Sequence, residues 1–127
     1  MAIHYERQNI MNDDTLLSQT QNLVQELRRG VIVLAVLSQL KEEQYGYSLM
    51  KRLEDQGLQV DQGTLYPLLR RLEEQELLGS NWRMETSRPR RYYVLSAVGE
   101  QVLQEMISEW SRIKETVDKM LVNHKEN

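Results

Sequence analysis

Gln62, Gly63, Thr64 and Tyr66 stand within five consecutive residues, and Arg70 and Arg71 follow them. A Gln carboxamide presents a donor and an acceptor side by side, the pair that fits the major-groove edge of adenine, while Thr offers a hydroxyl or a methyl to base edges. Gly63 lets backbone approach closely. A second cluster lies at residues 83–91, RMETSRPRR, where Arg83, Arg88, Arg90 and Arg91 stand against one acid, Glu85. Guanidinium forks match phosphate oxygens on the DNA backbone and also enter the minor groove. Bond-breaking chemistry lacks its parts: there is no Cys, His4 and His124 lie near the ends, and no glycine-rich phosphate loop occurs. The acid pairs Asp13-Asp14, Glu42-Glu43 and Glu73-Glu74 suit helix starts and solvated faces. The expectation is therefore no enzyme, no metal and no cofactor.

The elements that would position these residues are legible in the apolar spacing. Asn12 or Asp13 can cap a helix over residues 13–28, with Leu16, Leu23, Val24 and Leu27 at helical intervals. Gly30 marks a break, after which Val31, Leu34, Leu37 and Leu40 predict a central buried helix. Leu49 and Leu53 define a short helix that stops at Gly57. Asp61 is a good N-cap for a third helix from Gln62 to about Glu76, whose Leu65, Leu68, Leu69 and Leu72 form one stripe. Pro67 lies beyond the first turn of that helix and predicts a kink. Two β-runs, 80–85 and 90–95, around a Ser/Pro turn make a hairpin tipped by Arg88 and Arg90. On its second strand Tyr92 and Tyr93 point to opposite faces, one inward and one outward, and Trp82 is expected to pack the hairpin. Ser96 then caps a long helix reaching Val122.

Length and composition set the frame for these elements. The chain has 127 residues, 40% hydrophobic and 28% charged, within the range of one domain with an extension. Its net charge of −3 opposes nucleic-acid binding only on average. Residues 99–127 hold four bases against six acids, whereas residues 83–91 are basic, so charge is polarised along the chain. Cysteine is absent, no signal-like apolar segment opens the sequence, and the longest apolar run, residues 31–37, cannot span a bilayer. A cytoplasmic protein, neither secreted nor membrane-embedded, is expected.

Three helices followed by an Arg-tipped hairpin is the order of a winged helix-turn-helix. The blocks Tyr45-Gly46-Tyr47, Gly63-Thr64-Leu65-Tyr66-Pro67-Leu68-Leu69-Arg70-Arg71-Leu72-Glu73 and Arg90-Arg91-Tyr92-Tyr93-Val94-Leu95-Ser96 resemble the PadR family of transcriptional regulators. The resemblance covers residues 28–121. It implies a homodimeric repressor whose third helix enters the major groove of a double-stranded operator, flanked by the wing. One departure stands out: Glu76 precedes Leu77 where that family usually carries Gly, so the turn into the hairpin is expected to differ. The short C-terminal helix is similar to that of the family's compact subgroup, in which it builds the dimer together with an N-terminal helix. The expected fold is mainly α with a small β-hairpin, a winged helix-turn-helix with dimerisation helices at both ends. The expected parts are residues 1–28, an N-terminal tail and dimerisation helix; 29–95, the DNA-binding domain; and 96–127, the C-terminal dimerisation helix. DNA contacts are assigned to Gln62, Gly63, Thr64, Tyr66, Arg70, Arg71, Arg88, Arg90 and Arg91.

A dimer also follows from the spacing. Leu103, Met106, Trp110, Ile113, Val117 and Met120 alternate intervals of three and four, an a/d seam that wants a second helix. With Leu16, Leu23 and Leu27 they form the candidate homodimer interface. Trp110 carries two readings. It packs that interface, or, as in the multidrug-binding regulators that this chain resembles, it lines a pocket between subunits where Met106 and Ile113 complete an apolar wall for a planar aromatic effector. The competing function is a winged-helix protein-interaction module without DNA readout, which suits the acidic total but not the Arg-rich wing.

Overall fold

The computed structural model describes residues 13–126, with side chains to Val122. The chain divides into two compact units, residues 1–32 and 33–127. Helix α1 (Asp13–Ser38) begins in the first and ends in the second, with Asp13 and Asp14 in its first turn, where acids complement the helix dipole. The break expected at Gly30 does not occur. A Cβ at Gly30 would meet nothing within 4 Å, so no close packing there needs a glycine, and the good helix formers Leu27, Arg28 and Arg29 before it and Leu34 and Ala35 after it favour a continuous helix. In the first unit Leu16, Leu17, Leu23, Val24 and Leu27 are all exposed. The proposed cap Asn12, His4 and the side chain of His124 lie outside the described residues.

The second unit continues with β1 (Gln44–Tyr45), α2 (Gly46–Asp55), α3 (Gln62–Glu74), β2 (Leu78–Glu85), β3 (Arg88–Leu95) and α4 (Ala97–Glu126). Val36, Leu37, Leu40, Leu49, Leu53, Leu65, Leu69, Leu72, Leu78 and Leu103 make a core built almost wholly of aliphatic side chains. The architecture is mainly helical with a small antiparallel sheet of order β1-β3-β2. The hairpin is longer than expected, running from Leu78 opposite Leu95 to Glu85 opposite Arg88. Its two-residue turn holds Thr86 at φ 50°, the left-handed conformation that tight hairpin turns require.

Strand β1 was not foreseen. It pairs Gln44 with Tyr93 and Tyr45 with Tyr92, and so covers the second strand of the wing. Tyr92 and Tyr93 are both buried, at 8% and 7% exposure, so neither is the outward-facing ring expected of one of them. Tyr45 meets the Tyr92 ring edge-on at 5.4 Å, which closes that face of the sheet.

Helices α2 and α3 end in the same way. Leu58 N donates to Leu53 O and Gly57 N to Glu54 O, both at 2.9 Å. Leu77 N donates to Leu72 O and Glu76 N to Glu73 O, again both at 2.9 Å. This is the Schellman pattern, whose C′ residue must be left-handed. Gly57 has φ 97° and Glu76 has φ 64°, so the departure noted in the sequence falls on a backbone position that favours Gly. The turn keeps its form despite the side chain. Ser96 Oγ donates to the Glu76 carbonyl at 2.7 Å and accepts from Gly99 N at 2.9 Å, which caps α4 and ties it to this turn. A Cβ on Gly99 would overlap the Leu77 carbonyl, so the glycine permits the close approach.

Candidate nucleic-acid interface

Asp61 Oδ1 accepts from Thr64 N at 2.8 Å and starts α3, leaving Gln62, Gly63 and Thr64 exposed in its first turn. Pro67 is inside the helix, which is nevertheless continuous to Glu74. Both Pro67 and Gly63, whose carbonyl loses its usual partner, are exposed, so water can replace the missing N–H. With Leu65, Leu68, Leu69 and Leu72 buried, Gln62, Tyr66 and Arg70 recur four residues apart on another side of the helix. They meet the wing across a cleft of ≈ 610 Å³, lined also by Tyr45, Tyr47, Trp82, Arg88, Pro89, Arg90 and Arg91. Gly63, Thr64 and Arg71 are exposed but do not line it. Tyr66 is half-buried because its ring lies against Gly46, where any Cβ would overlap it. The Tyr-Gly-Tyr block thus makes room for α3.

The basic residues of residues 83–91 have different roles in the structure. Arg91 Nη2 sits 2.6 Å from Glu73 Oε1 and its Nε donates to Ser80 Oγ at 3.1 Å, while the Ser80 hydroxyl donates to the other Glu73 oxygen. Arg83 pairs with Glu43, whose second oxygen accepts from Asn81 Nδ2 at 2.6 Å. Two acids read from the sequence as solvated therefore anchor the wing, Glu73 to α3 and Glu43 to the segment before β1. Arg90 stacks its guanidinium 4.4 Å above the Tyr45 ring, and its Nε–H is buried without a partner. Arg88, at the last pair of the hairpin, is exposed. Among the described residues, no ion pair engages Arg70, Arg71, Arg88 or Arg90. The cleft consequently carries uncompensated positive charge although the chain as a whole is acidic.

Two phenols of β3 are held in their neutral form. The hydrogen bond donated by Tyr92 Oη to Glu85 is the main influence raising its pKa, with burial second. For Tyr93 burial raises it most, opposed by the nearby Arg91. Trp82 was expected to pack the hairpin and instead is 64% exposed on the cleft wall. Tyr45, Tyr47 and Trp82 were not assigned to the interface from sequence. Only the Tyr-Gly-Tyr block signalled the first two, and a residue partnered by elements distant in sequence leaves no local mark.

Along α4, Leu103 has 0% exposure and belongs to the core of its own unit, which removes it from the expected intermolecular seam. Met106 is half-buried. Trp110, Ile113, Val117 and Met120 are 41–62% exposed, joined by Ile107 and Leu121, which the spacing argument had not included. No helix among the described residues is long and apolar enough to cross a membrane.

Comparison with known proteins agrees with this geometry. Residues 33–105 match the Transcriptional regulator PadR-like family. A PadR family transcriptional regulator from Eggerthella lenta superposes with a TM-score of 0.77 at 45% identity, over 84% of this chain and 96% of that one. A PadR family transcription regulator from Clostridium difficile gives 0.65 at 31% identity, over 71% and 97%. A transcriptional regulator from Mycobacterium tuberculosis is 36% identical over 83 residues, covering 65% of this chain and 78% of the relative. The matched segment takes in both α3 and the complete wing, and the chain belongs to the PadR-like family of transcriptional regulators, which is not a family of enzymes.

Proposed function

We propose that the chain is a cytoplasmic transcriptional repressor that binds a pseudo-palindromic DNA operator as a homodimer. The carrying observation is the convergence of Gln62, Arg70, Arg88 and Arg90 on one cleft without an acid to neutralise the three guanidinium groups. Gln62, Gly63 and Thr64 meet base edges from the exposed first turn of α3, and Arg70, Arg71, Arg88 and Arg90 hold phosphates. Tyr66 acts at the cleft through the edge that Gly46 leaves uncovered, and Arg91 acts by holding the wing. Residues 29–95 form the DNA-binding part, while residues 1–28 and 96–127 supply dimerisation.

The exposed Trp110, Ile113, Val117 and Met120 support the dimer, since an apolar strip of that length on a soluble surface usually marks an interface. Leu16, Leu23 and Leu27, exposed in the other unit, are the second candidate patch. A dimer sets two α3 helices on successive major-groove turns, about 34 Å apart. A planar aromatic effector stacked on Trp110, beside Met106 and Ile113, would release the DNA by changing that spacing.

A mobility-shift titration on the DNA upstream of its own coding sequence tests the DNA reading. The expected result is retardation whose affinity falls linearly on a log–log plot against salt, as counterion release requires. No retardation at low salt would leave the winged-helix protein-interaction module as the better reading. For the effector, quenching of Trp110 in a Trp82→Phe background across planar cations and phenolic acids is expected; constant emission would reduce Trp110 to interface packing.

A further inference from the structure

Trp82 is the largest side chain on the cleft wall, and most of it is open: 64% of it is exposed. One face of it is nonetheless engaged. The Arg91 guanidinium lies over the indole at 5.6 Å from the ring centroid, and Arg91 is itself pinned by Glu73 and Ser80. An apolar ring backed on one face by a charged clamp, with the rest of it open to solvent, presents a surface suited to a partner. The surroundings state the partner's charge. Arg70, Arg88 and Arg90 line the same cleft without an acid, so the occupant is anionic, and its apolar portion must reach the indole between them. A DNA strand has that alternation, with phosphates separated by deoxyribose rings that present C–H surface. A protein partner would have to place several acids around one apolar side chain, whereas every nucleotide repeat supplies both features.

We propose that Trp82 is a DNA-contact residue, its indole packed on a deoxyribose of the strand passing between α3 and the wing, with the flanking phosphates held by Arg70 and Arg88. The proposal rests on the DNA reading given above and adds to it a contact that carries no charge. Arg91, assigned from sequence to phosphate or the minor groove, becomes the positioning residue of the indole. Sugar packing is indifferent to base identity, so Trp82 contributes affinity equally to operator and non-operator duplexes.

The charge-free contact gives a test that the arginines do not share. In a Trp110→Phe protein, Trp82 is the sole indole, and titration with sheared duplex DNA at low salt, and with the upstream duplex, is expected to change its emission as the complex forms. Trp82→Ala should weaken both duplexes about tenfold, the scale of an aromatic stacking contact, while leaving the slope of log affinity against log salt unchanged. Arg88→Ala should instead lower that slope by about 0.9, as loss of one phosphate contact requires. Because Trp82 is exposed, the Ala variant is expected to keep its helical circular dichroism. Retardation of DNA with unchanged Trp82 emission, or with full affinity in Trp82→Ala, overturns the contact and leaves the DNA reading intact. Emission that shifts with protein concentration alone also overturns it, since a second copy would then cover the indole. Absence of any retardation by the unsubstituted protein overturns both.

Discussion

Glu76 shows how one residue can depart from the preference of its backbone site without altering the fold. Its φ of 64° is imposed by the Schellman turn, and three neighbours hold that turn in place: Leu77 N on Leu72 O, Ser96 Oγ on the Glu76 carbonyl, and Gly99 against Leu77. A non-glycine residue held left-handed costs on the order of 1 kcal/mol, and Gly returns part of that through its greater freedom when unfolded. Glu76→Gly is therefore expected to stabilise the protein by roughly 0.5–1 kcal/mol and raise Tm by a few degrees, whereas Glu76→Ala should not. Thermal unfolding followed by circular dichroism distinguishes the two, and an equal gain from Ala would assign the effect to the lost side chain instead of the dihedral. The departure was visible in the sequence because the comparison position is a glycine. Its consequence was not, since one of the hydrogen bonds that hold the turn comes from Ser96, twenty residues away.

At the scale of elements, what was legible had its cause nearby in the chain. The Asp61 cap and the leucine stripe of α3, and Ser96 before α4, are local signals, and the structure has each of them. Strand β1 is only two residues long, and what makes it a strand is pairing with Tyr92 and Tyr93 far along the chain. Gly30 reads as a break because propensity penalises it, yet α1 continues through it, while α3 runs through Pro67 as its leucine stripe implies. The wing contains the least legible part of the site: Arg91 reads as a phosphate or minor-groove contact until Glu73, eighteen residues earlier, is seen to hold it. This clamp makes an expectation opposite in sign to simple electrostatics. Removing a carboxylate beside a DNA-binding cleft should strengthen binding through charge alone. If Glu73 instead sets the angle between wing and α3, Glu73→Gln should weaken DNA binding several-fold while leaving Tm nearly unchanged, because the pair is partly solvated and of modest worth. Affinity measured at two salt concentrations decides it, and tighter binding by the variant would show that Arg91 is more useful to phosphate than to the wing.

For the whole molecule, the proposed operator reading needs a means to make a single cleft specific, and α4 has the form for it. Leu103 and Val117 occupy equivalent places two heptads apart, so the repeat treats them alike, but Leu103 is fully buried in its own unit and Val117 is 42% exposed. The helix thus changes duty along its length: its first turns lock onto the Glu76–Leu77 turn through Gly99, and its later turns carry Trp110, Ile113, Val117 and Met120 outward. Because that outward part extends from the same helix, a partner seated on it would fix the distance between two α3 helices. Substitutions at the two positions should therefore separate folding from assembly. Leu103→Ala is expected to cost about 2–5 kcal/mol of stability, as core truncations do. Val117→Glu should leave thermal unfolding of the protomer and its helical content close to normal, yet yield monomers in sedimentation and lose operator affinity by more than about tenfold, since one half-site then binds without its twin. A Val117→Glu protein that stays dimeric would move the interface to the apolar face of α1, where Leu23→Glu would then be the disrupting change.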